Sequence, residues 1–239
     1  MKLIFIAICS MFSMLVTAQS TVEINDPNAK QRELKSSFSG ISVSDGIILY
    51  LTQGVSETIA ISSSDAKFEE RFKTEIVDGV LKIYFDNKGF DWNLNGKRKL
   101  KAYVSFKTIN KLNASGGSQV IVPGTIRAEE IEMNFSSGTT FTGKINASVI
   151  ISKQSSGSSM EISGMVKKIT LEATSGAMFK GFDLVTDYCS AKATSGGAIR
   201  ISINKELDAK ANSGGAIRYK GEAVIKEVNV NSGGIVKRA

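Results

Sequence analysis

The sequence predicts an all-β protein wound as a β-solenoid, a stack of parallel rungs each about twenty residues long. The first observation behind this is a short phrase that returns seven times. It reads Ser115-Gly116-Gly117, Ser136-Ser137-Gly138, Ser155-Ser156-Gly157, Thr174-Ser175-Gly176, Thr194-Ser195-Gly196-Gly197, Asn212-Ser213-Gly214-Gly215 and Asn231-Ser232-Gly233-Gly234. Successive Ser-Gly glycines lie 22, 19, 19, 20, 18 and 19 residues apart, and a fixed period of this size marks stacked repeats. The second observation is that apolar residues recur at fixed offsets from each phrase. The third is composition: 22 glycines, only 2 prolines and abundant Ser, Thr, Ile and Val favour strands and tight turns.

The chain begins with Lys2, an apolar run from Leu3 to Val16 and the small-residue site Val16-Thr17-Ala18, the pattern of a signal peptide over residues 1–18. The run is shorter than the roughly 20 residues a membrane span needs, so an exported chain with no membrane span is expected. Cys9 lacks the small preceding residue of a lipidation site. Residues 19–37 are polar and predict a loose N-terminal arm. A single β-helix domain is expected over residues 38–239, with irregular rungs at 38–110 and the seven Ser-Gly repeats at 111–239.

Within the irregular part, Phe38, Ile41, Val43, Ile47, Leu49 and Leu51 read as strand up to a turn at Gln53-Gly54. Ile59 and Ile61 continue the pattern. Residues 65–72 carry an Asp cap followed by good helix formers. Asp78-Gly79 between Ile76-Val77 and Val80-Leu81 predicts a hairpin. Residues 87–99 are rich in Asn, Gly and Lys and hold Trp92, the only tryptophan. A protruding loop aromatic is a candidate ligand contact; an indole folded back onto the solenoid is the competing reading.

The repeats align on the serine before each glycine, with Gly116 in the serine's place in the first. Four positions later stand Val120, Phe141, Met160, Phe179, Ile199, Ile217 and Val236. Four positions earlier, allowing a one-residue bulge in the third repeat, stand Leu112, Met133, Ile151, Leu171, Ala191, Ala209 and Val228. Alternate strand residues share a face, so each column becomes an inward ladder with a spacing of about 4.8 Å. The residue before the serine is always Ser, Thr or Asn, a column able to hydrogen-bond along the axis. Glycine there permits positive φ; turns acting as anion-binding nests are the functional alternative.

The segments Phe38-Ser39-Gly40-Ile41-Ser42-Val43, Ile47-Ile48-Leu49-Tyr50-Leu51-Thr52-Gln53-Gly54 and Val77-Asp78-Gly79-Val80-Leu81-Lys82-Ile83, followed by the Ser-Gly-Gly repeats, resemble the bacterial "putative auto-transporter adhesin, head GIN domain" family. The resemblance covers about residue 32 to the end. It implies a single-stranded right-handed parallel β-helix and an adhesin-like role, and it supplies no catalytic residues. An auto-transporter also needs a translocator barrel, which the sequence after the last repeat does not supply. The expected destination is therefore the periplasm, the cell surface or the medium.

Chemistry is narrowed by what is missing. There is no histidine, which removes Ser-His-Asp and Cys-His nucleophiles and His-based zinc sites. No catalytic residue, metal or cofactor is expected. Without Cys9, Cys189 is the only cysteine, and its neighbours suggest a small core filler. The acids scatter over the rungs, so a polysaccharide-cleaving enzyme stands only as an alternative.

The net charge is +7. Five positions after each aligned serine, facing outward, come Thr142, Glu161, Lys180, Arg200, Arg218 and Lys237; three positions before it come Lys153, Glu172, Lys192 and Lys210. The C-terminal rungs are thus expected to carry two basic lanes, with acids such as Glu222 and Glu227 able to pair with them. The expected function is a non-enzymatic adhesin or glycan-binding protein of the cell envelope. Its partner would be an anionic polysaccharide or cell-surface glycan, held by Lys180, Arg200, Arg218, Lys237, Lys192, Lys210 and Trp92. Nucleic acid is not an expected partner. The other alternative is a structural protein that forms a homo-oligomer through the open end of the solenoid.

Overall fold

The computed structural model describes residues 26–89 and 98–239. The signal peptide, the start of the arm and Trp92 lie outside the described residues. Seven-turn solenoid architecture is present as the period demands. Five long strands, β9 (Gln119–Phe135), β10 (Thr140–Gln154), β11 (Ser159–Ala173), β12 (Met178–Ala193) and β13 (Ala198–Ala211), stack in parallel and in chain order. A split rung of β14 (Ala216–Lys220) and β15 (Val224–Val230) follows, and β16 (Ile235–Arg238) begins the next. Both β14 and β15 lie on β13, and β16 lies on β14.

Each phrase is a two-residue turn in which both residues are left-handed. The serines from Ser137 to Ser232 have φ between 45° and 58°, and the glycines that follow them lie between 69° and 74°. This is type I′ geometry. The left-handed demand therefore falls on the serine as well as on the glycine. In the first repeat Gly116 and Gly117 take the two places, at 62° and 73°. The turns are tied to one another along the axis. The Gly117 amide donates to the Ser137 carbonyl at 2.9 Å, Gly138 to Ser156 at 2.9 Å, and so on to Gly214 and Ser232 at 3.2 Å.

The inward columns form as expected, with one correction. Met133 and Leu171 flank Ser152, not Ile151. The third repeat carries no bulge there: Ile151 faces outward and the fully buried Ser152 fills the column. The next inward position holds Gln154, 2% exposed, between Phe135 and Ala173. An apolar lookalike one residue away hid a polar pair inside the core.

The N-terminal part builds a sealed head. β2 (Gly40–Val43) and β3 (Ile48–Gln53) are joined by another left-handed turn, at Asp45-Gly46, with φ of 65° and 73°. They stack directly on β8 (Lys111–Ala114) and the start of β9. Beyond them lie β6 (Val80–Phe85) and β7 (Leu100–Phe106), parallel to β2 and β3. β5 (Phe72–Val77) closes on β6 through the expected Asp78-Gly79 hairpin, and β4 (Thr58–Ser63) runs antiparallel on β7. The Asp65-capped helix is one short turn, α1 (Ala66–Glu69). Phe38, Phe68, Phe72 and Phe85 are buried beneath these elements. The arm is docked from residue 26 onward: β1 (Lys30–Arg32) pairs antiparallel with β4.

Candidate functional site: an exposed cation ladder

The strand after each turn presents an inward residue and then an outward one, so rung stacking converts the outward residue into a lane. Pairing places Thr142 on Glu161, Glu161 on Lys180, Lys180 on Arg200, Arg200 on Arg218 and Arg218 on Lys237. All six are exposed. Buried Phe179, Ile199 and Ile217, each one residue earlier, fix the backbone beneath the cations. Four consecutive cations at about 4.8 Å spacing cover roughly 14 Å of the axis. Among the described residues none of Lys180, Arg200, Arg218 or Lys237 has an acid within ion-pair distance. The half-buried Ala198 and Ala216 form a low shoulder on one side. Ser202 and Lys220 flank the other, with the Lys220 ammonium 4.4 Å above the Phe182 ring.

The second lane differs. Lys153, Glu172, Lys192 and Lys210 stand in register. The Lys192 ammonium lies 2.8 Å from Glu172, and Lys210 lies 3.6 Å from Glu227. The second lane is thus partly neutralised, with Lys192 and Lys210 each held by an acid. Two further exposed lysines are also paired: Lys205 meets Asp187 at 2.8 Å and Lys226 meets Glu206 at 2.6 Å. The hydrogen bonds raise both lysine pKa values and lower that of Asp187. Like charges in adjacent rungs repel and desolvation by a bound polyanion would be compensated only at an unpaired lane, so the two lanes are chemically distinct. The signal that could separate them in the sequence is the acid within or next to the second lane: Glu172 stands in it, and Glu227 lies two residues before Asn229, which stacks on Lys210.

Other candidates are accounted for structurally. Cys189 is 5% exposed, and burial, with the nearby Asp208 charge, pushes its thiol up to about 12; thiolate chemistry is disfavoured there. The turn amides are spent on the next rung's carbonyls, which leaves no continuous row of anion-binding nests. Thr194 donates to Thr174 at 3.0 Å, a fragment of the predicted hydroxyl ladder. Among the described residues no group of three or more Asp, Glu, Cys or His side chains is placed to hold a metal.

With this geometry in hand, the match of the family model "Putative auto-transporter adhesin, head GIN domain" to residues 37–223 is decisive. The chain belongs to that family. Among solved structures, a putative adhesin from Bacteroides fragilis is similar at 15% identity and a TM-score of 0.79, over 88% of this chain and 96% of that one. A putative adhesin from Parabacteroides distasonis aligns at 18% identity and a TM-score of 0.68, over 88% and 96% of the two chains. A protein described as a putative lipid binding protein from the same organism aligns at 20% identity and a TM-score of 0.61, over 89% and 97%. These likenesses establish the shared fold. No curated protein matches the sequence. No helix among the described residues is long and apolar enough to cross a membrane.

Proposed function

We propose that this head GIN domain protein is an exported, non-enzymatic adhesin that holds an acidic polysaccharide or cell-surface glycan along the lane Lys180, Arg200, Arg218 and Lys237. One observation carries the reading: among the described residues none of these four in-register cations has an acid within ion-pair distance, while Lys192, Lys205, Lys210 and Lys226 each have one. An extended polyanion laid along the axis relieves the repulsion within the lane and takes bidentate contacts from the two arginines. The rung spacing selects a polymer with an anionic group roughly every 5 Å, that is, one charged on every sugar. Lys192 and Lys210 contribute less, because a ligand must first displace Glu172 and Glu227. Trp92, outside the described residues, is kept in this reading as a further candidate contact. The scattered acids and the family's adhesin-like members favour binding over cleavage.

The test is binding of the purified chain to polygalacturonate, hyaluronan and neutral dextran at low and moderate salt. Polygalacturonate, charged on every residue, is expected to bind best, with salt-sensitive affinity. Each of Arg200→Glu and Arg218→Glu should weaken it about tenfold, the scale of one charge-assisted contact. Lys192→Glu should matter much less. Equal binding of dextran, or no loss in the arginine variants, rejects the lane as the site.

A further inference from the structure

The two ends of the solenoid are unlike. At the head, buried phenylalanines and antiparallel strands seal the interior. At the tail the inward columns remain apolar to the last residue: Leu207, Ala209 and Ala211 are at most 1% exposed, and the residues stacked on them, Ile225, Val228 and Val230, are each 44% exposed. Val224 and Ile235 add exposures of 67% and 52%. A terminal repeat normally carries a polar outer face; this one presents core.

We propose that β15 and β16 dock tail to tail on the same rung of a second copy of this chain. Head-to-tail stacking cannot continue the core, because the head interior is already closed by Phe38, Phe68, Phe72 and Phe85. A two-fold arrangement, in which one patch meets itself, is what remains. β15 is built to be self-complementary. A bulge separates the pairings Leu207–Ile225 and Asp208–Glu227, so Lys226 is the extra residue. The inward residues are then Ile225, Val228 and Val230, with Lys226 and Glu227 both between the first two. An antiparallel register centred between Lys226 and Glu227 sets Ile225 against Val228 and Lys226 against Glu227, and does so in both copies. In a strand without the bulge, that register would oppose inward and outward residues. Charge also permits approach, since Lys226, Lys210 and Arg238 are paired with Glu206, Glu227 and Glu222. The surface meets the cation lane at Lys237 in β16, but its register is set by β15, whose residues take no part in the lane, so its test is independent of the glycan reading.

The experiment is sedimentation of the chain from Gln19 over a range of concentrations. A mass that doubles with concentration is expected. Val228→Lys, at an exposed position, should stay monomeric with the thermal midpoint of the dilute parent protein. Val224→Cys/Asn229→Cys, which face each other in the proposed register, should give a dimer on a non-reducing gel, with buried Cys189 not competing. A monomer at every concentration overturns the proposal. So does a dimer that Val228→Lys leaves intact, a ladder of longer polymers, or failure of the double cysteine variant to cross-link.

Discussion

At the scale of single residues, glycines next to each other in the repeat do different work. Gly214 has φ of 74°, yet a Cβ there would meet nothing within 4 Å. Gly215 needs no left-handed backbone, yet a Cβ would lie 2.1 Å from the Ala193 carbonyl oxygen. The first glycine answers to conformation and the second to rung-on-rung contact. Gly214→Ala is therefore expected to cost about 1 kcal/mol, the strain of one left-handed residue. Gly215→Ala should cost about 3 kcal/mol, because the clash is with backbone and only a rung shift relieves it. Urea denaturation of both variants checks the order, and equal costs would refute the division of labour.

Asp26 shows a second residue-scale device, the pin that holds the arm. Its carboxylate accepts from the Tyr103 hydroxyl at 2.8 Å, the Lys101 ammonium at 3.1 Å and the Asn28 amide at 3.1 Å. Burial alone would raise its pKa; these hydrogen bonds, with one from Ser62, outweigh it and hold the group at about 2. The unfolded value is about 3.9. A depressed folded pKa adds stability that is complete above the unfolded value and is lost as pH falls through the folded one. Asp26→Asn should thus lower the thermal midpoint at pH 6, and the gap to the parent protein should close as pH approaches 2. A gap that persists unchanged at low pH would show that the carboxylate charge is not what pins the arm.

At the scale of one rung, the third repeat holds the least comfortable core. Gln154 bonds weakly to Ser152 at 3.4 Å and to the Met160 sulfur at 3.6 Å, while its carbonyl oxygen has no partner and no solvent. A buried orphan acceptor costs roughly 1–3 kcal/mol. Gln154→Met keeps the length and removes the polar atoms, so it should raise stability by about 1 kcal/mol, read in the same urea titration. A loss would mean the amide sustains a contact worth more than its desolvation. This rung also marks where the sequence stopped being legible. Five of the repeats align without adjustment because parity and period agree, and the first does so once Gly116 takes the serine's place. In the third, apolar Ile151 beside polar Ser152 and Gln154 made a bulge look cheaper than a polar core. The turn at Asp45-Gly46 was hidden for another reason: it lacks the serine, and the rung it joins comes after the whole head has intervened. The cation lane was legible as a column. Its isolation from acids was not, because ion pairs such as Lys210–Glu227 cross rungs.

At the scale of the whole molecule, a solenoid is nearly one-dimensional: each rung is held by its neighbours, so stability is a sum of rung terms and interfaces. The head is anchored by antiparallel strands and buried aromatic rings, whereas the last rung has a neighbour on one side only. Opening should therefore begin at the tail and travel toward the head. Amide hydrogen exchange at low concentration is expected to show least protection in β15 and β16, more in β13, and most from β11 back through β9 into the head strands β3 and β7. Protection in the middle and fraying at both ends would contradict the sealed head. The same measurement at high concentration joins this gradient to the tail-to-tail pairing. Docking supplies the last rung with its missing neighbour, so protection in β15 should rise with concentration while that of β10 stays constant. In the Val228→Lys variant the low-concentration gradient should persist throughout, since the fraying rung would then have nothing to stack upon.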